Sequence, residues 1–510
     1  MRILLIDCDS LRPDHLGCYG YHRATSPTID ALADAGRRFT NYYAADVPCL
    51  PSRTGLFSSR FGIHTGAVNH GGINADVRPR GARRGFNTQG DEFRTWPTVL
   101  RQAGHHTTLI SPFPQRHGTW HTVDGFDEWI DTGGNGSERA EIVAPHAEAW
   151  LGEHAVEDDW YLHVNFWDPH TPYDTPANYG NPFADEPAPD WPDEETIREQ
   201  YDSYGPHSAH EPHAWGAGRD LERTPDEIAS RADFVRWIDG YDVGIRYLDD
   251  HLAGLLDILD REGVREETLI IVSGDHGENQ GELNVYGDHQ TADDKTCRIP
   301  LIVSGPEVES GVDDDFHYQV DLAPTMTELV GGTIPAGWDG VSFADSVRDG
   351  RSTGRPFLVL SQGAWACQRA VRWDDWLLIR TYHDGLKDFD PVELYNLAAD
   401  PHEAENLARA KPDLVYEGLG KLDGWVSQRL IEAATDKAGG NPDAPRGVTD
   451  PLWEVIREGG PYHARADAQL PEYVDRLRET DREEHAAKLE THRGLVPQDI
   501  EGYLDGADIW

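Results

Sequence analysis

Two short segments of the chain place carboxylates directly after apolar runs. Asp7–Ser10 (DCDS) closes the run that opens the chain, and Ser273–Glu278 (SGDHGE) closes another. Carboxylate oxygens at the end of a strand suit a hard cation, which takes oxygen ligands, and an Asp-His pair in a glycine-flanked turn could also ligate a metal. The same residues could instead form a solvated loop or cap a helix. On these two segments alone, a cation site and simple turns remain alternatives.

A third segment, Pro48–Arg53 (PCLPSR), is more specific. Its Cys-x-Pro-x-Arg pattern precedes a helix-start pattern and resembles the signature of type I sulfatases, in which this cysteine is converted to formylglycine. Further segments resemble motifs of the same family in the same order: Asp9–Gly20 the opening segment, Asp275–Glu278 the second metal segment, and Glu393–Leu397 with Asp400-Pro401 and Glu405–Leu407 the C-terminal signature. Because the matches run from residue 2 to about 410, the chain is identified as a member of the sulfatase superfamily.

The resemblance implies a divalent metal, usually Ca²⁺, held by Asp9, Asp275 and His276, with the modified Cys49 completing the ligand set. This chain departs from the pattern at Ser10, where many relatives carry a second Asp, and at His276, where several carry Asn. Asp7 could compensate as a ligand, or it could be a buried carboxylate at the end of a strand. A histidine ligand also tolerates softer ions, so Mn²⁺ and Zn²⁺ are alternatives to Ca²⁺.

The resemblance also implies the chemistry of Cys49. Hydrated formylglycine is a geminal diol, and a bound metal lowers the pKa of one hydroxyl, which becomes a nucleophile at neutral pH. The second hydroxyl can expel sulfate by returning to the aldehyde, which neither serine nor unmodified cysteine can do. Arg53 lies one helical turn beyond Cys49, so we expect it to stabilise charge on the nucleophile.

Histidines are the main candidates for contact with the sulfate and the leaving group. His170, in the segment WDPHTPY, resembles the substrate-contacting histidine of the family. His289 stands nine residues before Arg298, where family members usually carry Lys. An imidazole there could contact sulfate or protonate the departing alcohol, and a surface histidine is the alternative.

Three further side chains are weaker candidates for substrate binding. The family's Lys-x-His segment has no counterpart in register here, but Arg116 and His117 follow slightly later and could reach the same place. His64, in the segment GIHTG, could line the site or could be a structural histidine of a turn.

The elements that must position these residues alternate between strands and helices. Apolar, β-branched runs predict strands at Arg2–Asp7, Thr107–Ser111, Trp160–Trp167, Thr268–Ser273 and Pro300–Ser304. Helical spacing predicts helices beginning at Ser26-Pro27 and over Trp96–Ala103, Glu138–His154, Ala232–Arg261 and Gln319–Val330. This alternation predicts an α/β fold with a large, mostly parallel or mixed sheet sandwiched by helices, the alkaline-phosphatase-like fold that the resemblance implies. Sites in such sheets lie beyond the carboxyl ends of the strands.

The pattern changes near residue 350, which predicts a catalytic domain over 1–350 and a smaller C-terminal α+β subdomain over 351–510. The second part contains a small antiparallel sheet plus a helix, predicted from the strands Phe357–Leu360, Ala366–Trp373 and Trp376–Tyr382 and the helix Asp413–Ala434. The last forty residues are polar and are predicted to wrap the surface. Asp168–Thr224 is predicted to be a long surface excursion of the kind that often forms a lid.

Charge limits the partners of the protein. With 45 basic against 91 acidic residues the formal net charge is −46, which repels nucleic acid and anionic membrane surfaces, so we expect neither as a partner. Such an excess predicts a salt-loving host, with a generally acidic protein as the alternative. The five cysteines are scattered and form no disulfide pattern. No apolar run approaches the ~20 residues of a membrane span, and the opening residues lack a signal-peptide pattern. The expected compartment is therefore the cytoplasm.

The sequence therefore predicts hydrolysis of a sulfate ester on a small molecule or a saccharide, with a formylglycine-generating maturation enzyme as a partner. A phosphonate monoester or phosphodiester hydrolase with the same modified cysteine is the enzymatic alternative. A metal-binding pseudoenzyme is the third possibility, and it is disfavoured because both Cys49 and Arg53 are present.

Overall fold

The computed structural model describes residues 1–77, 94–134, 136–213, 221–434, 449–462 and 466–507. Its strands are β1 Arg2–Cys8, β2 Arg37–Tyr43, β3 Asp46–Val47, β4 His106–Ile110, β5 Glu128–Ile130, β6 Trp160–Phe166, β7 Thr268–Gly274, β8 Asn279–Gln280, β9 Tyr286–Asp288, β10 Leu301–Ser304, β11 Gly311–Tyr318, β12 Leu358–Gln362, β13 Cys367–Trp373, β14 Trp376–His383 and β15 Val392–Asn396.

Its α-helices are α1 Pro27–Ala35, α2 Cys49–Ser58, α3 Gly62–Thr65, α4 Trp96–Gln102, α5 Phe113–His117, α6 Ala140–His154, α7 Glu194–Tyr201, α8 Arg231–Glu262, α9 Asp294–Cys297, α10 Leu322–Leu329, α11 Ala344–Asp349, α12 Pro412–Ala434, α13 Pro451–Arg457, α14 Ala466–Glu479, α15 Glu483–His492 and α16 Ile500–Leu504. The predicted strands and helices named above are all present, with ends shifted by a few residues. In the predicted helix Gln319–Val330, the first turn, Gln319–Asp321, is a 3-10 helix.

The large sheet has eight strands in the order β11-β2-β10-β7-β1-β6-β4-β5. Strand β1 lies between β7 and β6 and is parallel to both. Its side chains alternate between two cores: Leu4 and Ile6 pack on the side of α6 and α8, while Ile3 and Leu5 pack on the side of α4 and α10. Burial on both faces explains the nearly continuous apolar run of this strand. The α/β fold predicted from the alternation is confirmed.

The sequence analysis missed strands at the margins of this sheet. Strands β5 and β11 are its two edges, and β11 (GVDDDFHY) carries three consecutive aspartates. Edge strands are commonly polar, since a charged edge discourages pairing with other chains. A search for apolar runs therefore does not find them.

The second sheet has the order β15-β14-β13-β12-β3. The pairs among β12 to β15 are antiparallel, as predicted, and Val415 and Leu422 of α12 are buried against them. The fifth strand, β3, comes from the N-terminal part of the chain and pairs parallel with the end of β12, at Ser361 and Gln362. The boundary at residue 350 stays a prediction, but a strand that directly precedes Cys49 belongs to the C-terminal sheet.

Two regions contain more structure than the sequence analysis predicted. The excursion after Asp168 includes α7, and its Tyr173, Phe183 and Ile197 are buried. The tail contains helices α14 and α15, whose Leu477 and Leu489 form a small core with residues of the excursion and of the β14–β15 connection. In the ranges that the structure describes, no helix is both long and apolar enough to cross a membrane.

Candidate active site

The pairing of the central strands brings the two carboxylate segments together. Cys8 of β1 lies opposite Gly274 of β7 in the parallel register, so Asp9 and Asp275, which follow these residues, leave the sheet side by side. The backbone N–H of Asp9 also donates to the carbonyl of Phe166 at the end of β6 (3.0 Å). The side chains after β1, β6 and β7 consequently meet at one edge of the sheet, as expected for a parallel arrangement.

Cys49 is the first residue of α2 and points into this edge. Its Sγ lies 3.0 Å from Nε2 of His276. Ligand-type atoms of Asp9, Cys49, Asp275 and His276 all lie within 4.8 Å of one another, and all four residues are buried. The four residues that the resemblance assigns to the metal are therefore one cluster in the structure.

Arg53, one turn along α2, holds three carboxylates. Its Nε and one terminal nitrogen donate to Asp7 (2.8 and 3.1 Å), and its other terminal nitrogen donates to Asp9 (3.1 Å) and Asp275 (2.6 Å). Arg53 is 2% exposed, and the three aspartates are no more exposed than that. One guanidinium cannot neutralise three buried carboxylates, and uncompensated buried charge is costly. The cluster therefore has the electrostatics of a cation site.

The pKa shifts of the carboxylates follow from this geometry. Burial favours the neutral form of Asp9, but the guanidinium of Arg53 prevails and holds the pKa of Asp9 below its usual range. Burial raises the pKa of Asp275 to about 6 against the attraction of Arg53, and the neighbouring Asp9 adds to the rise. Burial, together with these two carboxylates, also raises the pKa of the Cys49 thiol well above its usual value. The cluster disfavours further negative charge until a cation is present.

The donor set fits a divalent cation. Two carboxylates supply hard oxygens, and the imidazole of His276 supplies a nitrogen that borderline ions also accept. The Nδ1 of His276 lies 2.7 Å from the carbonyl oxygen of Gly277, and its Nε2 faces the cluster, 3.0 Å from Cys49 Sγ. Ser10 contributes through its backbone, because its N–H donates to Asp275 (3.2 Å).

The structure does not bring Asp7 into this group of ligand-type atoms. Both of its oxygens accept from Arg53, and one also lies 3.2 Å from Nε2 of His163. Arg53 is the main partner that lowers the pKa of Asp7 against the effect of burial. Asp7 thus lies behind the cluster and orients Arg53, which matches the alternative of a buried strand-end carboxylate.

His170 and His289 lie beside Cys49, with ring centroids 6.4 Å and 4.3 Å from that of His276. The three residues offer ligand-type atoms within 4.8 Å of one another. Nδ1 of His170 lies 2.7 Å from the carbonyl oxygen of Thr171, while its Nε2 is buried and finds no hydrogen-bond partner among the described residues. Burial lowers the pKa of His170 to about 4.

Arg116 and His117, the weaker candidates, also lie near the cluster. The guanidinium of Arg116 lies 3.9 Å from the ring centre of Trp167. The imidazole of His170 also stacks on Trp167, with ring centroids 3.9 Å apart. One terminal nitrogen of Arg116 is buried without a hydrogen-bond partner in the described parts of the chain. His117 lies at the outer side, with its ring 4.9 Å from that of His70.

His64 is not brought into the cluster. Its Nδ1 lies 2.7 Å from a carboxylate oxygen of Asp339, and its Nε2 lies 2.9 Å from the carbonyl oxygen of Arg429 in α12. The second contact joins α3 to α12, and both contacts are in keeping with the alternative of a structural histidine.

Residues that the sequence analysis missed surround these side chains. His70 lies with its ring 6.2 Å from that of His289, and His207 lies 3.1 Å from Asp288, which in turn lies 3.1 Å from Nδ1 of His289. His70 and His207 stand outside any motif, so spacing could not have found them. Asp288 could have been noticed, because an acid directly before a candidate histidine can orient it.

The fold and the arrangement of the site are those of the sulfatase family in the alkaline phosphatase superfamily. The sulfatase family matches residues 2–332, more than half of the chain, and this protein belongs to that family. A second family, described as N-sulphoglucosamine sulphohydrolase, C-terminal, matches residues 281–417.

Curated relatives and solved structures are similar over most of the chain. An N-acetylglucosamine-6-O-sulfatase of Bacteroides thetaiotaomicron is 23% identical, over 79% of this chain and 82% of its own. A choline-sulfatase of Rhizobium meliloti is 24% identical, over 86% of this chain and 88% of its own. A structure solved in complex with its substrate D-glucosamine-2-N,6-O-disulfate superposes with a TM-score of 0.67 at 20% identity, over 86% of this chain and 99% of that one. The structure of the phosphonate monoester hydrolase of Silicibacter pomeroyi superposes with a TM-score of 0.66 at 18% identity, over 86% of this chain and 96% of that one.

Proposed function

We propose that this protein hydrolyses a sulfate ester through a formylglycine made from Cys49. The observation that carries the proposal is the position of Cys49 at the start of α2, within 4.8 Å of the ligand-type atoms of Asp9, Asp275 and His276. Hydrated formylglycine supplies one hydroxyl for attack on sulfur and a second whose return to the aldehyde releases sulfate. The surrounding side chains are proposed to hold the metal, to bind the sulfate group and to donate a proton to the departing alcohol.

Asp9, Asp275 and His276 would hold the divalent cation, with Ca²⁺ as the first candidate and Mn²⁺ or Zn²⁺ as alternatives. When bound, a divalent ion lowers the pKa of a coordinated hydroxyl and neutralises charge on the ester. Arg53 keeps the carboxylates in place and stabilises negative charge near residue 49. The cation also offsets the excess of buried carboxylates over Arg53.

His170 and His289 lie beside residue 49, and Arg116 stacks on Trp167 next to His170. All three are proposed to bind the sulfate group. Nε2 of His170 and one terminal nitrogen of Arg116 are buried and have no hydrogen-bond partner within the described part of the chain. A bound anion would satisfy both. His289 is proposed to protonate the departing alcohol. His117 is proposed to lie at the entrance. A formylglycine-generating enzyme is the expected maturation partner.

A sulfated saccharide is the proposed class of substrate. Two comparisons point that way, since one relative is described as an N-acetylglucosamine-6-O-sulfatase and one similar structure holds D-glucosamine-2-N,6-O-disulfate. A choline-sulfatase is about equally similar in sequence. A panel of sulfated amino sugars, choline sulfate and an aryl sulfate would therefore rank the alcohols.

Phosphonate monoester hydrolysis is the second candidate function. The superposition on a phosphonate monoester hydrolase is as close as that on the saccharide-bound structure, and sulfate and phosphoryl groups share tetrahedral geometry. The test has two parts: the mass of the peptide around Cys49, since formylglycine is lighter than cysteine, and kcat/KM for an aryl sulfate and an aryl phosphonate monoester. Formylglycine at position 49, together with a higher kcat/KM for the aryl sulfate than for the aryl phosphonate monoester, supports the proposal. A preference for the phosphonate establishes the second candidate, and unmodified Cys49 in the active protein excludes both.

Metal removal gives an independent test. We expect stringent chelation to abolish turnover, and Asp275→Asn to lose both bound metal and turnover, because one of two ligating carboxylates is lost. The matched control is Asp257→Asn, at an exposed position of α8, which should behave as the parent. Metal content by mass spectrometry and kcat on the best substrate are measured together, and full activity in Asp275→Asn contradicts the metal assignment.

A further inference from the structure

Lys387, in the connection between β14 and β15, is a buried cation. It is one of six lysines in the chain, and its exposed fraction is 4%. Its Nζ donates to the backbone carbonyl of Asn284 (2.7 Å), and it forms no ion pair with any residue in the described ranges. A buried charge without a counterion is costly, and an ammonium has three hydrogens to donate. The described part of the chain therefore satisfies Lys387 only in part.

The two acids that attract Lys387 have partners of their own. Burial lowers the pKa of Lys387 to about 7, and the attraction of Asp288 and Glu211 opposes this decrease. Asp288 accepts from the backbone N–H of His289 (2.8 Å) and from Nε2 of Gln290 (2.9 Å). The partners of Glu211 are Tyr473, Arg476 and Arg482 of the tail. Neither carboxylate forms an ion pair with the ammonium.

His207 links Lys387 to the candidate active site. Its Nε2 lies 3.1 Å from a carboxylate oxygen of Asp288, the residue directly before His289. Its Nδ1 is buried and has no hydrogen-bond partner among the residues that the structure describes. Burial lowers the pKa of His207, Asp288 opposes this change, and the nearby ammonium of Lys387 reinforces it. A buried cation and an incompletely bonded imidazole thus adjoin a histidine that is proposed to act on the ester.

The backbone that carries these two side chains is held by neighbouring elements. The hydroxyl of Tyr204 donates to the carbonyl oxygen of Lys387 (3.3 Å). The backbone N–H of Gly205, two residues before His207, donates to the hydroxyl of Tyr473 in α14 (2.7 Å). Groups that are fixed before a ligand arrives lose less entropy when it binds. The excursion, the β14–β15 connection and the tail together keep Lys387 and His207 in place.

We propose that Lys387 and His207 bind a second anionic group of the substrate, a sulfate or a carboxylate carried by the same saccharide. The inference rests on the proposed sulfatase function and narrows the substrate to saccharides with more than one anionic group. An anion would pair with the buried ammonium and accept charge-assisted hydrogen bonds from it. It would also favour the imidazolium form of His207, in which both ring nitrogens donate. In a protein of net charge −46, such local cations offset the repulsion of a polyanionic ligand.

Calorimetric binding to the full-length Cys49→Ala protein tests the proposal without turnover. The reference ligand is N-acetyl-D-glucosamine-6-O-sulfate, which carries one anionic group. D-glucosamine-2-N,6-O-disulfate adds a sulfate, and a 6-O-sulfated disaccharide with a uronate adds a carboxylate. Hydrogen bonds to charged groups are strong enough that we expect at least one of these two ligands to bind about 10–100-fold more tightly than the reference. The ligand with the larger gain identifies the second group as sulfate or carboxylate.

Variants in the same background assign the gain to the proposed residues. Lys387→Met should abolish it, Lys387→Arg should retain part of it, and His207→Gln should reduce it. The matched control is Lys421→Met, at a lysine of α12 that pairs with Glu417, and it should keep the full gain. Lys387→Met should also be as stable as its parent without ligand, because it removes a buried charge that lacks a counterion.

Two results overturn the proposal. One is equal binding of the three ligands, or binding of none of them, before Lys387 is changed. The other is a gain that persists in Lys387→Met. Turnover of an aryl sulfate, which has one anionic group, is measured separately with Cys49 intact and should be the same in Lys387→Met and the parent. Absence of that turnover in the parent contradicts the proposed function, whereas the binding results decide the inference about the second anionic group.

Discussion

At the scale of single residues, Cys49 carries the clearest prediction. Cys49→Ser should fold as the parent but fail in turnover, because a serine hydroxyl can attack sulfur once and has no second hydroxyl to release the sulfate. An activated aryl sulfate should therefore leave a sulfated serine at this position, detectable by peptide mass. Cys49→Ala is the matched control and should show no adduct. Multiple turnover near the parental rate in Cys49→Ala would remove Cys49 from the mechanism.

We predict that Arg53 contributes both to the catalytic rate and to the stability of the protein. The sequence indicated only the role in catalysis, and the structure adds the role in stability through three buried carboxylates. Loss of a preorganised electrostatic donor typically costs about 10²–10³ in kcat, and we expect that loss in Arg53→Ala. The same change leaves three buried carboxylates without their counterion, and breaking a buried ion pair from one side costs about 3–5 kcal/mol. Chemical unfolding of the metal-free protein measures this cost, which added Ca²⁺ should reduce. If metal-free Arg53→Ala is as stable as the metal-free parent, the prediction that Arg53 compensates the charge of the three carboxylates is wrong.

At the scale of elements, strand β15 contains a buried acid that should make stability depend on pH. Burial raises the pKa of Glu393 to about 8, with Asp390 adding to the rise and a hydrogen bond from Tyr395 (3.0 Å) opposing it. Between the usual value for Glu and about 8, the folded state holds the proton more tightly than the unfolded state. The contribution of this group to the free energy of unfolding is therefore full at low pH and is lost as pH rises through that window.

Glu393→Gln should accordingly reduce the loss of stability between pH 6 and pH 8, because glutamine mimics the protonated acid. Thermal unfolding midpoints at the two pH values measure the effect. Glu405→Gln, at an exposed position of the same region, is the control and should keep the parental pH dependence. Equal pH dependence in Glu393→Gln and the parent would show that the acid does not titrate in this window.

At the scale of the whole molecule, the net charge of −46 predicts dependence on salt. Repulsion among 91 acidic residues opposes the compact state at low ionic strength, and the Debye length falls to about 3 Å at 1 M salt. The unfolding temperature should therefore rise steeply between dilute buffer and about 1 M KCl. Comparison with a protein of balanced charge separates this effect from general salting-out. A flat response would leave the acidic composition without this explanation.

The two sheets also cooperate in building the site. The segment that leads into Cys49 pairs with β12 of the second sheet, and Gln362 of that strand donates to the backbone of His289. The side chain proposed as nucleophile and a proposed substrate-binding histidine therefore depend on the C-terminal part of the chain.

The sequence by itself determined the buried central strands, the helices that cover them and the family. These features are encoded locally: β1 and β7 are nearly continuous apolar runs because both of their faces are buried. The Cys-x-Pro-x-Arg pattern became specific through the neighbouring motifs that follow in the order of the family. The cluster of Asp9, Cys49, Asp275 and His276 could be anticipated, because parallel neighbouring strands end at the same edge.

Only the tertiary structure decided what spacing along the chain does not encode. It placed Asp7 on Arg53 rather than in the ligand group, and it took His64 to Asp339 and α12. It also added β3 to the second sheet and brought His70 toward His289. The physical reason is that these contacts join residues far apart in sequence, whose partners are chosen by packing, strand pairing and charge in three dimensions and not by local pattern.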